Sequence, residues 1–419
     1  MGRSPAVLLA FSLLLLTVRG AVADGIILNG VSPRSIGRGG TNIAHSDNGG
    51  LIFDNPAGIA AVQGNGLFDI GVDTLITDFS YSDPANATSY ANSATPLPQI
   101  SLVRKSEDGR WAYGIGLFTP AGFSESYRLE GPPPLGGPQL YESFGALMKI
   151  LPALAWQPTE GLRFGGTLGV GINHTELQAP YFLQDPTPYQ GLPMLLDMQG
   201  SGAALVWSVG MQYDVTEATT LGVTYQSASD FHLSGPASVT VPGLGTSRYD
   251  ASMNIVFPQS VGWGVKHKLA KRHTLSTDLI WYDWSTAFDE LSLSFSNPST
   301  PGFPPVAEHV PLNWRDSLSV RLGYEWDLET MGIVRFGYVY HRNPIPDNTL
   351  TPLIQATMQN GFSTGYGFQF KNWDLDLAYM FMFGPRQNVS NSVFIGNDFD
   401  GSSTTAQTHA IAVSAIRRF

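Results

Sequence analysis

Residues 361–365 read Gly-Phe-Ser-Thr-Gly, a Gly-x-Ser-x-Gly spacing that in hydrolases sets a nucleophilic serine on a tight turn. That chemistry needs a strand that bends sharply into a helix. Here the pentapeptide lies inside GFSTGYGFQFK, where Phe362, Thr364, Tyr366, Phe368 and Phe370 alternate with Ser363, Gly365, Gly367, Gln369 and Lys371. A straight strand makes no elbow, so no catalytic residue is assigned and a lipase is only a rival reading. His267 and His273 flank a short turn, but the chain has no cysteine and shows no compact carboxylate cluster beside them. No metal site and no cofactor are assigned. A third feature is the triplet Asn55-Pro56-Ala57 in GLIFDNPAGIA. Pro56 fixes its own φ and restricts Asn55, while Asn55 can bridge a local turn. What such a turn serves depends on the elements around it.

Those elements read as strands. In LRFGGTLGVGINH the residues Leu162, Phe164, Gly166, Leu168, Val170 and Ile172 alternate with Arg163, Gly165, Thr167, Gly169, Gly171 and Asn173. WDLDLAYMFMF (373–383) and SLSVRLGYEWD (317–327) repeat the pattern, one face greasy and the other small or polar. About fourteen such runs occur between 66–79 and 405–419. Short connections, such as 106–110, 158–161 and 270–273, alternate with long ones, such as 80–97, 120–143 and 176–199. A soluble sandwich would show Lys and Glu on its polar faces, whereas these are rich in Gly. Short turns on one side and long loops on the other predict an all-β chain: a transmembrane antiparallel β-barrel of about 14 strands in a bacterial outer membrane. The last strand, THAIAVSAIRRF, ends on Phe419 with His409, Ile411, Val413 and Ala415 on the same side. It is similar to the assembly signal read by the barrel-assembly machinery, except that Arg417 stands where that signal is usually aromatic or apolar.

Composition agrees. Charged residues are 14% of the 419-residue chain and aromatics 11%, and apart from the leader no apolar stretch reaches the ~20 residues of a membrane-spanning helix. The formal net charge of −11 disfavours nucleic-acid partners. Residues 1–23 read as a cleaved signal peptide, with the apolar run Ala6 to Val18 and the cleavage pattern Ala21-Val22-Ala23. Residues 24–65 do not alternate. They are rich in small residues yet carry Ile26, Ile27, Leu28, Leu51, Ile52 and Phe53, which predicts an N-terminal hatch plugging the lumen of a barrel that spans 66–419.

The segment GRGGTNIAHSDNGGLIFDNPAGIA resembles the N-terminal hallmark of the long-chain fatty acid transporter (FadL-type) family. GIGLFTPAGFSESY (114–127), the stretch 321–352 and GFSTGYGFQFKNWDLDLAYMF (361–381) resemble its later strands; Asn48-Gly49-Gly50 departs from its usual Ala-Ser-Thr. The resemblance implies a monomeric 14-stranded barrel that captures hydrophobic compounds, most simply long-chain fatty acids, at its outer loops. Hatch movement then releases them sideways into the membrane lipid. Aromatic-hydrocarbon import on the same scaffold and a nonspecific porin are the alternatives. In this family the Asn-Pro-Ala motif sits beside an inward kink of the third strand, which assigns Asn55, Pro56, Ala57, Gly114 and Gly116 to the hatch and its lateral gate. By parity Arg163, Arg321 and Arg335 point inward. They could hold a substrate carboxylate or pair with lumen acids such as Glu325 and Asp327. Residues 137–148 and 179–196 carry apolar material for a capture site.

Overall fold

The computed structural model describes residues 25–185, 188–396 and 399–419; the expected signal peptide lies outside the described residues. Fourteen antiparallel strands close into a barrel. They are β1 (Gly66–Ser82), β2 (Ser89–Lys105), β3 (Trp111–Glu130), β4 (Pro138–Thr159), β5 (Leu162–Phe182) and β6 (Pro193–Thr216). Next come β7 (Thr219–Gln226, resuming as Ser229–Val241), β8 (Gly245–Phe257, resuming as Ser260–Ala270) and β9 (His273–Tyr282, resuming as Glu290–Ser296). The remainder are β10 (Val306–Pro311, resuming as Ser317–Asp327), β11 (Ile333–His341), β12 (Asn360–Phe370), β13 (Trp373–Phe383) and β14 (Ser403–Arg418). Closure runs from Leu67 opposite Arg418 to Ser82 opposite Ser403, so no edge is left unpaired at that seam.

Alternation places side chains as expected. On β5, Phe164, Leu168, Val170 and Ile172 are exposed on the outside, while Arg163, Thr167 and Asn173 are buried inside. Apolar side chains exposed on every second residue fit a lipid solvent. At the end carrying the short turns, Trp111 stacks on Trp156 with ring centroids 5.8 Å apart, and the Arg417 guanidinium lies 5.7 Å from the Trp373 ring centroid. Such aromatic girdles mark a membrane interface. Arg417 therefore points outward beside an aromatic partner.

The strands run farther outward than alternation predicts. β2 begins at Ser89 and β4 at Pro138, so the outer loops shrink to stretches such as 83–88, 131–137 and 183–192. Nearly all of the expected capture stretch 137–148 and both ends of 179–196 are thus strand wall. Beyond the lipid, neither face of a strand has to be greasy, and the sequence pattern fades while the hydrogen-bonded ladder continues.

Candidate functional site

Residues 25–65 fill the lumen. Helix α1 (Pro33–Gly37) opens with Pro33 in its first turn, and the Ser32 side chain accepts from the Ser35 N–H. Helix α2 (Leu51–Asp54) leads into a 3-10 turn, Pro56–Ala61. This hatch is seated on bare backbone of the wall. A Cβ on Gly165 would lie 2.5 Å from the Ala57 nitrogen, and one on Gly323 would lie 2.7 Å from the Arg38 carbonyl oxygen. Gly-rich inner faces are thus clearances cut for the hatch. Asn55 donates from Nδ2 to Ile43 O at 2.8 Å and Met211 O at 3.2 Å, and its Oδ1 accepts from Ala57 N at 3.2 Å. The triplet is therefore a pin holding the hatch to β5 and β6, on a different part of the wall from the one the resemblance implied. Ser363 also serves the hatch: its hydroxyl donates to Gly37 O at 3.2 Å and accepts from Gly39 N at 3.0 Å.

Near the periplasmic end, hatch and wall share a balanced ionic lattice. Arg34 reaches Asp376 and Asp374, each at 2.7 Å, and Arg38 reaches Asp47 at 2.9 Å and Glu325 at 3.3 Å. Arg335 bridges Glu325 at 2.8 Å and Asp376 at 2.7 Å, and Arg418 meets Asp374 at 3.0 Å. Burial alone would lower the basicity of Arg34 and Arg38, but the surrounding carboxylates outweigh it and hold both above the usual arginine value. Asp47 is held well below the usual carboxylate range: burial opposes this, and the Arg38 guanidinium overrides it. His45 is driven down to about 3 by burial and by the nearby Arg38 charge, so it is neutral. His45, Asp47 and Glu325 lie within ligand distance of one another, but Arg38 bonds both carboxylates. Their charge is used in pairing.

The three arginines expected to meet a substrate belong to this support. Arg335 is fully committed to Glu325 and Asp376. Arg163 pairs with Asp214, beside Gln212, whose Nε2 donates to Ile43 O and His45 O at 2.9 and 2.8 Å. Arg321 donates to Gly40 O at 3.3 Å and to the Tyr282 hydroxyl at 3.2 Å. Glu325 takes the pairing role expected of it, whereas Asp327 is exposed and caps the following turn by accepting from Glu329 N.

The ladder is interrupted at the seam between β2 and β3. β2 pairs with β3 only from Ile100 opposite Leu117 to Lys105 opposite Ala112. Farther out, β3 carries an extra residue: Phe118 faces Lys149 on β4 while Ala121 faces Leu147. The bulge re-aims the strand. Pro120 sits in it, and Pro96 and Pro98 sit on β2, removing three N–H donors around the seam. Beyond the ladder the seam is crossed by side-chain contacts: Thr119 Oγ1 donates to Pro98 O at 3.5 Å, and Ser93 Oγ donates to Ser124 O at 3.2 Å. Residues 94–99 therefore lack a ladder to β3, leaving roughly 20 Å of strand without a backbone partner on that side. Gly114 and Gly116 fall before the bulge, in regular ladder, which corrects the expected position of the kink. A Cβ on Gly114 would lie 3.0 Å from Ile52 of the hatch, and Gly116 leaves room for the buried Phe118 ring. The hatch segment at the kink is its leading end: Ile27 bridges Ala121, and Leu28 N donates to Pro120 O at 2.9 Å.

Above the hatch lies an apolar cavity with about 1390 Å³ of empty space, its solvent-open part included, lined among others by Tyr181, Phe182, Leu196, Phe257, Phe288 and Trp314. A second, of about 810 Å³, lies behind the seam between Leu97 and Phe123 and shares Ile26, Gly122 and Phe123 with the first. Neither is lined by lysine or arginine. A third, of about 660 Å³, adjoins the bulge at Pro120 and Ala121 and contains Lys149 and Arg321. Lys149 is the residue that sequence reasoning missed. It is 8% exposed, its ammonium lies 5.7 Å from the Phe53 ring centroid, and among the described residues no carboxylate pairs with it. The signal was present in ALMKILPA, where one lysine occupies an inward position between Leu147 and Leu151.

The family model for outer membrane protein transport proteins (OMPP1/FadL/TodX) matches residues 14–419. The chain belongs to this family. Solved structures agree in fold. A Pseudomonas aeruginosa FadL homologue superposes with a TM-score of 0.76 at 16% identity, covering 94% of this chain and 100% of that one. The Pseudomonas putida toluene transporter TodX gives 0.76 at 18%, and the Ralstonia pickettii toluene transporter TbuX gives 0.74 at 19%, each covering 94% of this chain and 99% of its own. A search of curated proteins returned no match. At these identities the likeness to solved structures shows the family's barrel, and the substrate has to be argued from the cavities of this chain.

Proposed function

We propose that this protein imports hydrophobic compounds passively across the outer membrane and releases them sideways through the seam between β2 and β3. The apolar cavity above the hatch removes the substrate from water, which is the favourable step for a greasy molecule. The leading hatch segment, Ile26 to Leu28, then yields at the bulge. A cleaved signal peptide is supported by the run Ala6 to Val18 before Ala21-Val22-Ala23, insertion by the barrel-assembly machinery by the terminal strand ending on Phe419, and a monomeric state by the family resemblance.

The observation that carries the substrate class is Lys149. A buried ammonium without a carboxylate, beside an exit and next to an apolar cavity, is matched by a long hydrophobic tail ending in an anion. This supports long-chain fatty acids and moves the expected carboxylate partner from Arg163, Arg321 and Arg335 to Lys149. Aromatic hydrocarbons are the second reading, favoured by the absence of lysine and arginine from the two larger cavities.

The test is uptake of labelled oleate and of toluene by cells lacking their own channel, for native protein, Lys149→Met and a deletion of Pro120. That deletion removes the extra residue and leaves every later side chain on its proper face. Each form must first reach the outer membrane in equal amount. Oleate entry lost in Lys149→Met, with both compounds lost in the deletion, is the expected result. Toluene entry alone, indifferent to Lys149, would establish the hydrocarbon reading. Entry of both through the deletion would refute sideways release.

A further inference from the structure

The loop between β11 and β12, residues 342–359, does not stay at the rim. Ile345, Thr349, Leu353 and Ile354 line the large apolar cavity, and Ala356 and Met358 line the one behind the seam. Gln355 and Thr357 are fully buried. The loop leaves and rejoins the wall at β11 and β12, yet it is tied to β3 and β4, beyond the intervening β13, β14, β1 and β2. It therefore crosses the lumen as a strap between the two cavities.

The tie is small and sits on the same boundary. Glu125 on β3 lines the cavity behind the seam and is 2% exposed, while Ser143, opposite it on β4, lines the large cavity. Glu125 Oε1 accepts from Gln355 N at 3.4 Å, and the Tyr127 hydroxyl donates to Gln355 Oε1 at 3.1 Å. Ser143 Oγ meets Glu125 Oε2 at 2.9 Å and also Leu353 O. One hydroxyl hydrogen cannot serve two acceptors, so both bonds form together only when Glu125 Oε2 donates to Ser143 and Ser143 to Leu353. On the strap itself, Gln355 Nε2 and Thr357 Oγ1 have no partner among the described residues. Buried polar atoms left unpaired are costly, and displacement into water relieves that cost. A segment with few ties opens locally before the wall around it does.

We propose that residues 342–359 are an inner gate between capture and exit, and that Glu125 is its positioning residue. With Ser143 it holds the strap across the route, and substrate passes from the large cavity to the one behind the seam when Leu353 and Gln355 leave that hold. This inference rests on the reading of the chain as a hydrophobic-compound channel.

The experiment measures initial uptake of labelled oleate and toluene against concentration in cells lacking their own channel, with outer-membrane amount checked for each form. The native chain has no cysteine, so Ser143→Cys combined with Leu353→Cys gives a strap that an oxidant ties to β4 and a reductant frees, as thiol labelling verifies. The oxidised form should lose passage of whichever compound native protein imports, reduction should restore it, and each single variant should ignore the oxidant. Glu125→Ala should raise the maximal rate per barrel by about 3- to 10-fold, as expected for the loss of one or two hydrogen bonds. Glu125→Gln, whose amide can donate to Ser143 and accept from Gln355, should keep the native rate. A residue needed only for stability would lower the rate in Glu125→Ala. Equal uptake by the oxidised and reduced forms overturns the gate, and an unchanged or lowered rate in Glu125→Ala overturns the role of Glu125; either leaves the channel reading intact. If native protein imports neither oleate nor toluene, the channel reading itself falls, and the gate with it.

Discussion

The hatch has two ends held by different physics. From Pro33 to Ala61 it is fixed by buried ion pairs, by Asn55 and by close seating on wall glycines. From Ile26 to Leu28 it is held by apolar contacts and a few backbone hydrogen bonds to the bulge in β3. Buried charge pairs are costly to break one partner at a time, whereas a short apolar segment can part from its groove at small cost. Under the sideways release proposed above, only the leading edge would have to move while the body stays put. This narrows the expected hatch movement to a handful of residues.

The largest effect should come from breaking the fixed end. Arg34→Met leaves Asp376 with Arg335 and Asp374 with Arg418 but removes the tie from both to the hatch; a buried pair broken on one side typically costs about 3–5 kcal/mol, and the remaining arginines put the expected cost toward the lower end. Hydrogen exchange in residues 31–62 should accelerate strongly, and the barrel should leak small hydrophilic solutes in conductance recordings. Unchanged exchange there would show that the lattice does not hold the hatch.

A smaller effect is expected at the pin. Asn55→Ala removes the side-chain cap on Ala57 and two bonds to backbone carbonyls, with a cap alone worth about 0.5–2 kcal/mol. Exchange should rise around residues 43–61, with uptake of hydrophobic compounds nearly unchanged because the pin faces β5 and β6. A large loss of uptake would instead tie this triplet to the gate.

The most specific effect concerns pH. His45 is held neutral in the fold, down to about 3, and an exposed histidine titrates near 6.5. The folded state thus binds fewer protons there than the unfolded one. The contribution is fully present above about pH 6.5 and is lost as pH falls toward 3. Burial shifts Asp54 the other way, to about 7, so its term strengthens as pH falls from about 7 to 4. The difference between native protein and His45→Gln isolates the histidine: hatch exchange in the variant should depend less on pH between 6.5 and 4. Parallel pH curves would overturn this assignment.

Most of the architecture was legible because lipid imposes a simple rule, one greasy face per strand. Leu168 and Val170 obey it, and the number of strands followed. The rule fades outside the lipid, which is why β2 and β4 were read as starting late. The hatch was legible in Ile26, Ile27 and Leu28, residues too apolar for a free tail. Its contacts were not, because Arg34 and Asp376 are 342 positions apart and nothing local marks them as partners. The gap could have been found from Pro96, Pro98 and Pro120, three missing donors close to one seam. Gly114 and Gly116 are the more conspicuous residues of that strand in sequence, but their missing side chains make room for neighbours.

The single extra residue in β3 also inverts the phase of that strand. Below it the even-numbered residues Ala112 and Phe118 are buried, and Tyr113 and Ile115 look out; above it the odd-numbered Ala121, Glu125 and Tyr127 are buried, and Ser126 and Arg128 look out. A charge introduced at Tyr113 would meet lipid, whereas one introduced ten residues later at Phe123 would meet the two apolar cavities inside the barrel. Along this strand odd and even change meaning at the door, so a substitution scan of β3 has to be interpreted as two antiphase series joined at Pro120.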